Sequence, residues 1–294
     1  MKIILFGSQF ADQAKQSEDQ IVSVCKTLNK FTSDIYINNK LFTSLSNTSK
    51  QDMKQLCIRY NQLPVADIAL SIGGDGTFLR TAKEIKDSDI PILGINTGRL
   101  GFLADINFHD LEETIKELFT GNYLIEERSL LKVIPNTTEQ EINYEYALNE
   151  IAILKQDTSS MLTLHTYIDD DYLTSYQADG LIIATPTGST AYSLSVGGPI
   201  LMPKSSSLVL SPIAPHNLTS RPLVVNHDVV IKIKIESRSN TFLVSTDGYS
   251  KIYDTTTEII VRKADHTIKV VKRKGHTFYE TLRDKLLWGV DVRK

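Results

Sequence analysis

The hydrophobic pattern of this 294-residue chain changes its period near residue 123. Before that point, short apolar runs alternate with segments whose apolar residues recur every three or four positions, the spacing of one helix face. The strand-like runs lie at residues 2–6, 33–37, 66–72 and 90–95, and the helical patterns lie around residues 21–31, 53–63, 77–85 and 110–119. Alternation of this kind predicts a parallel sheet with right-handed crossovers. Residues 1–125 are therefore expected to form a Rossmann-like α/β domain.

Beyond residue 123, apolar residues alternate with polar ones, as they do in half-buried strands. The clearest strand patterns are at residues 162–168, 229–235, 241–245, 258–262 and 267–271. Many short strands separated by turn residues predict a β-sandwich-like domain over residues 126–272.

The last segment, residues 273–294, returns to a helical pattern. Leu282, Leu286 and Leu287 would face inward, and Gly289 would end the helix. We expect this helix to pack back on the first domain.

Charge balance and cysteine usage argue against several classes of protein. The net charge of −3 disfavours a dedicated nucleic-acid-binding protein, which normally has a concentrated basic face. No apolar run approaches the roughly 20 residues that span a bilayer, and no signal-peptide pattern precedes the first strand. Cys25 and Cys57 fall on predicted helices without a CxxC motif, and the histidines show no metal-ligand spacing, so no metal site is expected. These features predict a cytoplasmic protein with reduced thiols.

The sequence Gly73-Gly74-Asp75-Gly76-Thr77 stands where a strongly apolar strand gives way to a helix. This is the carboxyl end of a predicted parallel sheet, where open α/β folds bind their ligands. Glycines allow the backbone to approach a phosphate closely, and amide groups at a helix start attract anions. Asp75 would repel a phosphate, so it is suited to accept a proton, orient a hydroxyl nucleophile or hold a metal ion. The loop predicts phosphoryl transfer from ATP and says little about the acceptor.

Residues 185–199 form a second loop, rich in small hydroxyl residues and glycines, after the apolar residues 181–184. Its hydroxyl groups and amides are suited to cradle a phosphate, and Tyr192 to pack on a ring or bond a ribose. Such loops are also common in β proteins, so composition alone leaves a purely structural role open. No Walker A lysine follows, which excludes a P-loop.

Two shorter signals accompany these loops. Asn149 and Glu150 are adjacent in a strand-like stretch, so only one is expected to face a site unless a bulge intervenes. Asp179 precedes the apolar run at residues 181–184 and reads by default as a turn aspartate. His216 lies in a rigid, proline-containing segment.

Taken together, these segments resemble the NAD kinase family, in the same order and at compatible separations. The matching stretches are ADIALSIGGDGTFLR (66–80), PILGINTGRLGFLADI (91–106), ALNEIAIL (147–154), the run 179–199, SPIAPHNLTSRPLVV (211–225) and FYETLRDKLLWG (278–289). The resemblance covers most of the chain, and it implies an N-terminal Rossmann-like domain followed by a β-rich domain. It also implies transfer of the γ-phosphoryl group of ATP to the 2′-hydroxyl of the adenosine ribose of NAD.

The resemblance also assigns roles to particular residues. It makes Asp75 the proton acceptor beside the 2′-hydroxyl. The residues that it places in contact with NAD are Asp75, Gly76, Asn149, Glu150, Asp179, Thr190, Ala191, Tyr192, Ser193, Ser195 and Ala214. The residues expected at the ATP phosphates are Gly73, Gly74, Gly76, Thr77 and Arg80. ATP is expected to act with Mg²⁺ or another divalent cation, and the protein to form a homodimer or homotetramer with no nucleic-acid or membrane partner.

Three positions depart from the pattern of many relatives. Tyr249 stands where many carry glutamine, Gln177 where some carry arginine, and Ser160 where some carry a basic or imidazole group. Each departure puts one ligand contact in doubt. Two other functions remain open at this point: a lipid or sphingoid-base kinase that shares the glycine loop, and a non-catalytic NADP-binding regulator that consumes no ATP.

Overall fold

The computed structural model describes residues 1–7, 14–98, 101–136, 145–157 and 160–288. Two compact units divide the chain. The first unit comprises residues 1–127 and 268–294, and the second unit comprises residues 128–267.

The strands are β1 (Ile3–Gly7), β2 (Ile35–Asn38), β3 (Ile58–Tyr60), β4 (Ile68–Ile72), β5 (Ile92–Asn96), β6 (Ile106–Asn107), β7 (Tyr123–Asn136), β8 (Glu145–Ala147), β9 (Glu150–Lys155), β10 (Leu162–Ile168), β11 (Asp171–Ala178), β12 (Gly180–Ala184), β13 (Ser207–Ile213), β14 (Leu223–Asn226), β15 (Ile231–Glu236), β16 (Thr241–Thr246), β17 (Tyr249–Asp254) and β18 (Glu258–Arg273). The helices are α1 (Ala14–Leu28), α2 (Asn39–Ser44), α3 (Asn47–Leu56), α4 (Asp75–Ile85), α5 (Leu111–Phe119), α6 (Tyr192–Ser195) and α7 (Phe278–Leu286).

A parallel sheet in the order β5-β4-β1-β2-β3 forms the centre of the first unit. Its central strands β1, β4 and β5 are buried along nearly their whole length, as expected for parallel strands with both faces covered. Val270 of β18 pairs in parallel with Ile92 of β5. Helix α7 also belongs to this unit. The predicted Rossmann-like α/β fold with a C-terminal helix is confirmed.

Two helical predictions in the first unit extend too far. Helix α3 ends at Leu56, because Cys57 is extended and β3 then pairs in parallel with β2. Tyr60 therefore lies on a strand instead of a helix face. Helix α1 ends at Leu28, and Phe31 beyond it is 41% exposed.

In the second unit, two antiparallel sheets share one apolar core. One sheet has the order β14-β13-β12-β9-β16-β17. The other comprises β11, β10, β15 and the first part of β18, with β7 paired to β18 and β8 paired to β7. Alternate residues of both sheets enter the core, for example Leu164, Ile183, Ile233 and Phe242. The predicted β-sandwich-like fold agrees with this arrangement.

The end of the chain differs from expectation in two details. Residues 258–262 and 267–271 belong to one continuous strand, β18, instead of two. Leu282 is buried, but Leu287 is 60% exposed because it adopts a left-handed conformation that ends α7; Leu287 was expected to face inward. Gly289 lies outside the described residues. None of the helices in the described part of the chain has the length and apolar character needed to cross a membrane.

Candidate active site

The glycine loop connects β4 to α4 in the first unit. Gly73 has a φ angle of +150°, and a Cβ atom there would lie 2.4 Å from Oγ1 of Thr77. Both facts require glycine at this position. Gly74 is the N-cap of α4 and has no side chain to cap the helix. The Thr77 N–H donates to the Gly74 carbonyl at 2.9 Å, and the preceding amides of Asp75 and Gly76 have no intrahelical acceptor. The sequence therefore produces an anion-attracting helix start at the carboxyl end of β4, as predicted.

Three backbone amides hold the Asp75 carboxylate. Phe102 N–H donates to Oδ2 at 2.9 Å, and the N–H groups of Leu103 and Ala104 both donate to Oδ1 at 3.0 Å. A Cβ atom on Gly101 would lie 2.0 Å from Oδ1. The side chain is thus fixed in one orientation by a loop that approaches it closely.

Thr77 and Arg80 continue this site along the first turns of α4. Thr77 is buried, and Nη2 of Arg80 donates to its hydroxyl oxygen at 3.1 Å. The guanidinium therefore lies one helical turn from the glycine loop, as the spacing predicted.

Asn149 and Glu150 lie where the chain changes sheets in the second unit. β8 pairs with β7, whereas β9, which starts at Glu150, pairs with β12 and β16. Leu148 and Asn149 form the break between the two strands. The strand alternation that would turn Asn149 and Glu150 to opposite faces is therefore interrupted here by a strand break, where the sequence argument had named a bulge as the exception.

The hydroxyl-rich loop packs directly on this break. Thr185 donates its hydroxyl to the Leu148 carbonyl at 2.6 Å and its N–H to the Asn149 carbonyl at 2.9 Å. A Cβ atom on Gly188 would lie 2.0 Å from the Asn149 carbonyl oxygen. The first part of the loop thus has a structural function, which is to hold Asn149 in place.

Glu150 combines burial with a neighbouring negative charge. Burial first, and then the charge of Asp247, raise the pKa of Glu150 to about 7, while a hydrogen bond from the Tyr192 N–H works in the opposite direction. Its Oε2 is buried and has no hydrogen-bond partner among the described residues. A buried carboxyl with an unused oxygen and a pKa near neutrality is a common feature of ligand sites.

The remaining predicted residues of the hydroxyl loop differ in exposure. Tyr192 and Ser195 are exposed, and Thr190 and Ala191 are half-buried. Ser193 is fully buried, and its hydroxyl lies 3.0 Å from that of Ser211. This contact supports packing of the loop.

Asp179 and Ala214 lie at the opposite end of β12 from Asn149 and Glu150. Asp179 N–H donates to the Ile213 carbonyl at 2.9 Å, whereas Glu150 pairs with Ala184. Asp179 precedes β12 by one residue and so lies five residues before Ala184, which is about 16 Å at about 3.3 Å per residue. Oδ1 of Asp179 lies 2.7 Å from Nζ of Lys155. The structure therefore separates the predicted NAD residues of the second unit into two groups.

Two of the departures from the family pattern lie together. Gln177 and Ser160 line one cavity of about 500 Å³ in the second unit, together with Lys155. Tyr249 is instead exposed at the start of β17, after Gly248.

Two features of the site were not predicted from the sequence. One is Asp247, which contacts the Asn149–Glu150 backbone, and the other is the 102–104 loop around Asp75. Asp247-Gly248 has the composition of a tight hairpin turn, a signal that predicts the turn but not its partner. Within the described ranges, no group of three or more His, Cys, Asp or Glu side chains is arranged to hold a metal ion.

Comparisons with known proteins agree with these features. A family model described as the ATP-NAD kinase N-terminal domain matches residues 10–123, and one described as the ATP-NAD kinase C-terminal domain matches residues 148–273. The chain is 48% identical over 293 residues to an NAD kinase of Bacteroides fragilis, with 100% of both chains covered. It is 45% identical over 296 residues to an NAD kinase of Porphyromonas gingivalis, with 99% of each covered.

Solved structures show the same fold. The crystal structure of yeast NADH kinase complexed with NADH superposes with a TM-score of 0.88 at 24% identity, covering 100% of this chain and 89% of that one. The crystal structure of an NAD kinase from Archaeoglobus fulgidus in complex with ATP gives a TM-score of 0.71 at 25% identity, covering 98% of each chain. The fold, the glycine loop and the full-length relatives lead to one conclusion: this chain belongs to the NAD kinase family of phosphotransferases.

Proposed function

We propose that the protein transfers the γ-phosphoryl group of ATP to the 2′-hydroxyl of the adenosine ribose of NAD and so produces NADP. The observation that carries the proposal is the Asp75 carboxylate, held by three amides at a glycine-rich helix start. Family membership supports NAD as the acceptor, and none of the relatives described above is a lipid kinase.

The geometry at Asp75 assigns a role to one oxygen. A carboxylate has about four lone-pair positions, and Oδ1 uses two of them and Oδ2 one. The remaining position, on Oδ2, is suited to accept a hydrogen bond from the ribose hydroxyl. An aspartate is a weak base for an alcohol, so Asp75 orients the hydroxyl and takes its proton late. As the ribose oxygen bonds to the γ-phosphorus in line, the bond from that phosphorus to the β–γ bridging oxygen breaks and ADP leaves.

The phosphates of ATP are bound by the amides of Gly74 and Gly76, the hydroxyl of Thr77 and the guanidinium of Arg80. A loose phosphoryl transition state needs positioning and charge stabilisation more than covalent chemistry. Mg²⁺ would be held by the phosphates of ATP, where it would neutralise charge during the transfer.

NAD is bound by two groups of residues in the second unit. Asn149, Glu150 and the loop residues Thr190, Ala191, Tyr192 and Ser195 bind the adenosine side. Ser193, whose buried hydroxyl lies 3.0 Å from that of Ser211, keeps the loop in place instead. Asp179 and Ala214 bind the nicotinamide side. The separation of the two groups by the length of β12 is consistent with a homodimer or homotetramer in which β-rich surfaces contribute to neighbouring sites. The two free cysteines are consistent with a cytoplasmic location.

Replacement of Asp75 tests the role of the carboxylate. We expect Asp75→Asn to lower kcat by about 100-fold or more, the usual effect of losing a general base, while NAD still binds. The measurement is NADP formation at saturating ATP together with NAD binding by calorimetry. Asp110→Asn is the matched control, because Asp110 also stands at a helix start in the first unit. Near-normal turnover of Asp75→Asn would refute the assigned role.

An acceptor and donor panel on the purified protein tests the activity itself. NADP formation from NAD and ATP is expected, with no phosphorylation of diacylglycerol or a sphingoid base. Phosphorylated lipid without NADP would favour a lipid kinase, and binding of NADP without ATP consumption would favour a regulator.

A further inference from the structure

Asp247 lies in the tight turn between β16 and β17 and contacts the strand break that carries Asn149 and Glu150. Its Oδ2 accepts the Leu148 N–H at 2.7 Å, and its Oδ1 accepts the N–H groups of Asn149 at 2.9 Å and Glu150 at 3.1 Å. The Asp247 N–H donates in return to the Glu150 carbonyl at 3.2 Å. One residue therefore makes four hydrogen bonds to three consecutive residues.

These bonds have a clear physical purpose. Leu148 and Asn149 belong to neither β8 nor β9, and both are buried. Buried amides without partners are costly, so a break between two sheets needs an acceptor at this point. The backbone of Asp247 itself is in the left-handed region, with a φ angle of +48°. Aspartate followed by glycine adopts this conformation readily in a two-residue hairpin turn, so the turn itself explains the backbone of Asp247.

The Asn149–Glu150 segment is thus held from two sides. Asp247 binds its amides, and Thr185 and Gly188 of the hydroxyl loop contact its carbonyl groups. Contacts of this kind leave the segment with a single backbone conformation.

We propose that Asp247 is a positioning residue for NAD binding, which fixes the Asn149–Glu150 backbone so that both side chains are oriented toward the dinucleotide. The inference rests on the proposed NAD-binding role of those two residues. Asp247 acts through them and does not itself contact the substrate.

The charge of Asp247 gives the role a second signature. Burial and the Asp247 carboxylate together raise the pKa of Glu150. Among the charged groups on the packed elements, Glu145 of β8 and Lys251 of β17 form an ion pair with each other. Lys155 of β9 pairs with Asp179, and Asp254 of β17 accepts the Thr256 N–H. Helix α6 contributes the Tyr192 amide. Removal of the Asp247 charge should therefore move the titration of Glu150 to lower pH.

The test compares Asp247→Ala, Asp247→Asn and the control Asp254→Ala. Asp254 is a matched control because its Oδ1 accepts one turn amide, that of Thr256 at 2.9 Å, at the other end of β17. We expect Asp247→Ala to raise KM for NAD by about tenfold or more, because three bonds to a charged acceptor are lost, with KM for ATP changed less than about twofold. Asp247→Asn should have a smaller effect, since its amide oxygen can keep the two bonds of Oδ1. Asp254→Ala should leave KM for NAD unchanged.

A pH profile separates positioning from a purely structural role. In Asp247→Asn, the midpoint of the pH dependence of KM for NAD should shift to lower pH. The inference would be overturned if the Asp247 variants had a lower melting temperature or a smaller active fraction, but the same KM for NAD and the same midpoint of its pH dependence as the wild type. If Asp247→Ala does not fold, Asp247→Asn alone decides. Failure of the wild-type protein to form NADP would instead refute the proposed function, so the two failures are distinguishable.

Discussion

At the scale of single residues, the site depends on how closely backbone approaches side chain. Asp75 is held by amides from residues 102–104, and Asn149 is covered by Gly188. Each contact needs a glycine, Gly101 beside Asp75 and Gly188 beside Asn149, because a Cβ atom would not fit at either position. These glycines have no functional side chain, but they determine where the Asp75 carboxylate and the Asn149 backbone lie.

Gly101 offers a direct test of this argument. A Cβ atom at Gly101 would overlap Oδ1 of Asp75, whereas a Cβ atom at Gly98 would have no neighbour within 4 Å. We expect Gly101→Ala to displace the carboxylate and lower kcat by about 100-fold, since a shift of about 1 Å can have that effect. Gly98→Ala should keep near-wild-type kcat. Steady-state kinetics of the two variants would contradict the argument if their kcat values were equal.

Glu150 makes the stability of the ligand-free protein depend on pH. Its pKa is about 7 in the folded chain, against 4.5 for an ordinary glutamate. Between these values the folded state binds more protons than the unfolded state, so this residue's contribution to stability is complete below about pH 4.5 and is lost as the pH rises through about 7.

Glu150→Gln removes this titration. At pH 8 the variant should therefore have a free energy of unfolding higher than that of the wild type by up to about 3 kcal/mol, and a correspondingly higher melting temperature. This difference should vanish near pH 4.5. Thermal unfolding from pH 5 to pH 8 measures the difference. A constant difference at every pH would show that Glu150 ionises normally.

At the scale of elements, one buried ion pair connects the end of β18 to the segment before β6. Oδ2 of Asp105 lies 2.5 Å from Nζ of Lys272, and the two side chains are only 7% and 13% exposed. Asp105 directly follows Ala104, one of the three amide donors to Asp75. The pair therefore also supports the loop that holds the Asp75 carboxylate.

Breaking this pair should be costly. Asp105→Ala leaves a buried ammonium group without its partner and should lower the free energy of unfolding by about 3–5 kcal/mol, whereas Asp105→Leu combined with Lys272→Met should recover most of the loss. The exposed pair Lys26–Asp52 is the control, and Asp52→Ala should cost less than about 1 kcal/mol. Urea denaturation of the wild type and of these three variants measures the changes. Equal losses for Asp105→Ala and Asp52→Ala would contradict the prediction.

At the scale of the whole molecule, the chain leaves the first unit near residue 127 and returns to it at residue 268. The return occurs within β18, whose residues from Glu258 lie in the second unit and whose residues from Ile268 lie in the first. Residues 258–262 and 267–271 have similar alternating patterns. A local pattern predicts strands there, but it contains no information about which sheet each part joins.

The sequence by itself determined the two fold classes, the glycine loop at a strand end and, through resemblance, the family. These features follow from local periodicity, from glycine conformation and from motifs that are contiguous in the chain. Only the tertiary structure decided that the Phe102–Ala104 amides hold Asp75, that Asp247 holds Asn149 and Glu150, and that Glu150 pairs with Ala184, at the end of β12 farthest from Asp179. The physical reason is that each of these contacts joins residues that are distant in sequence through backbone N–H and C=O groups. Nearly every residue has these groups, so the residue types do not reveal which of them pair.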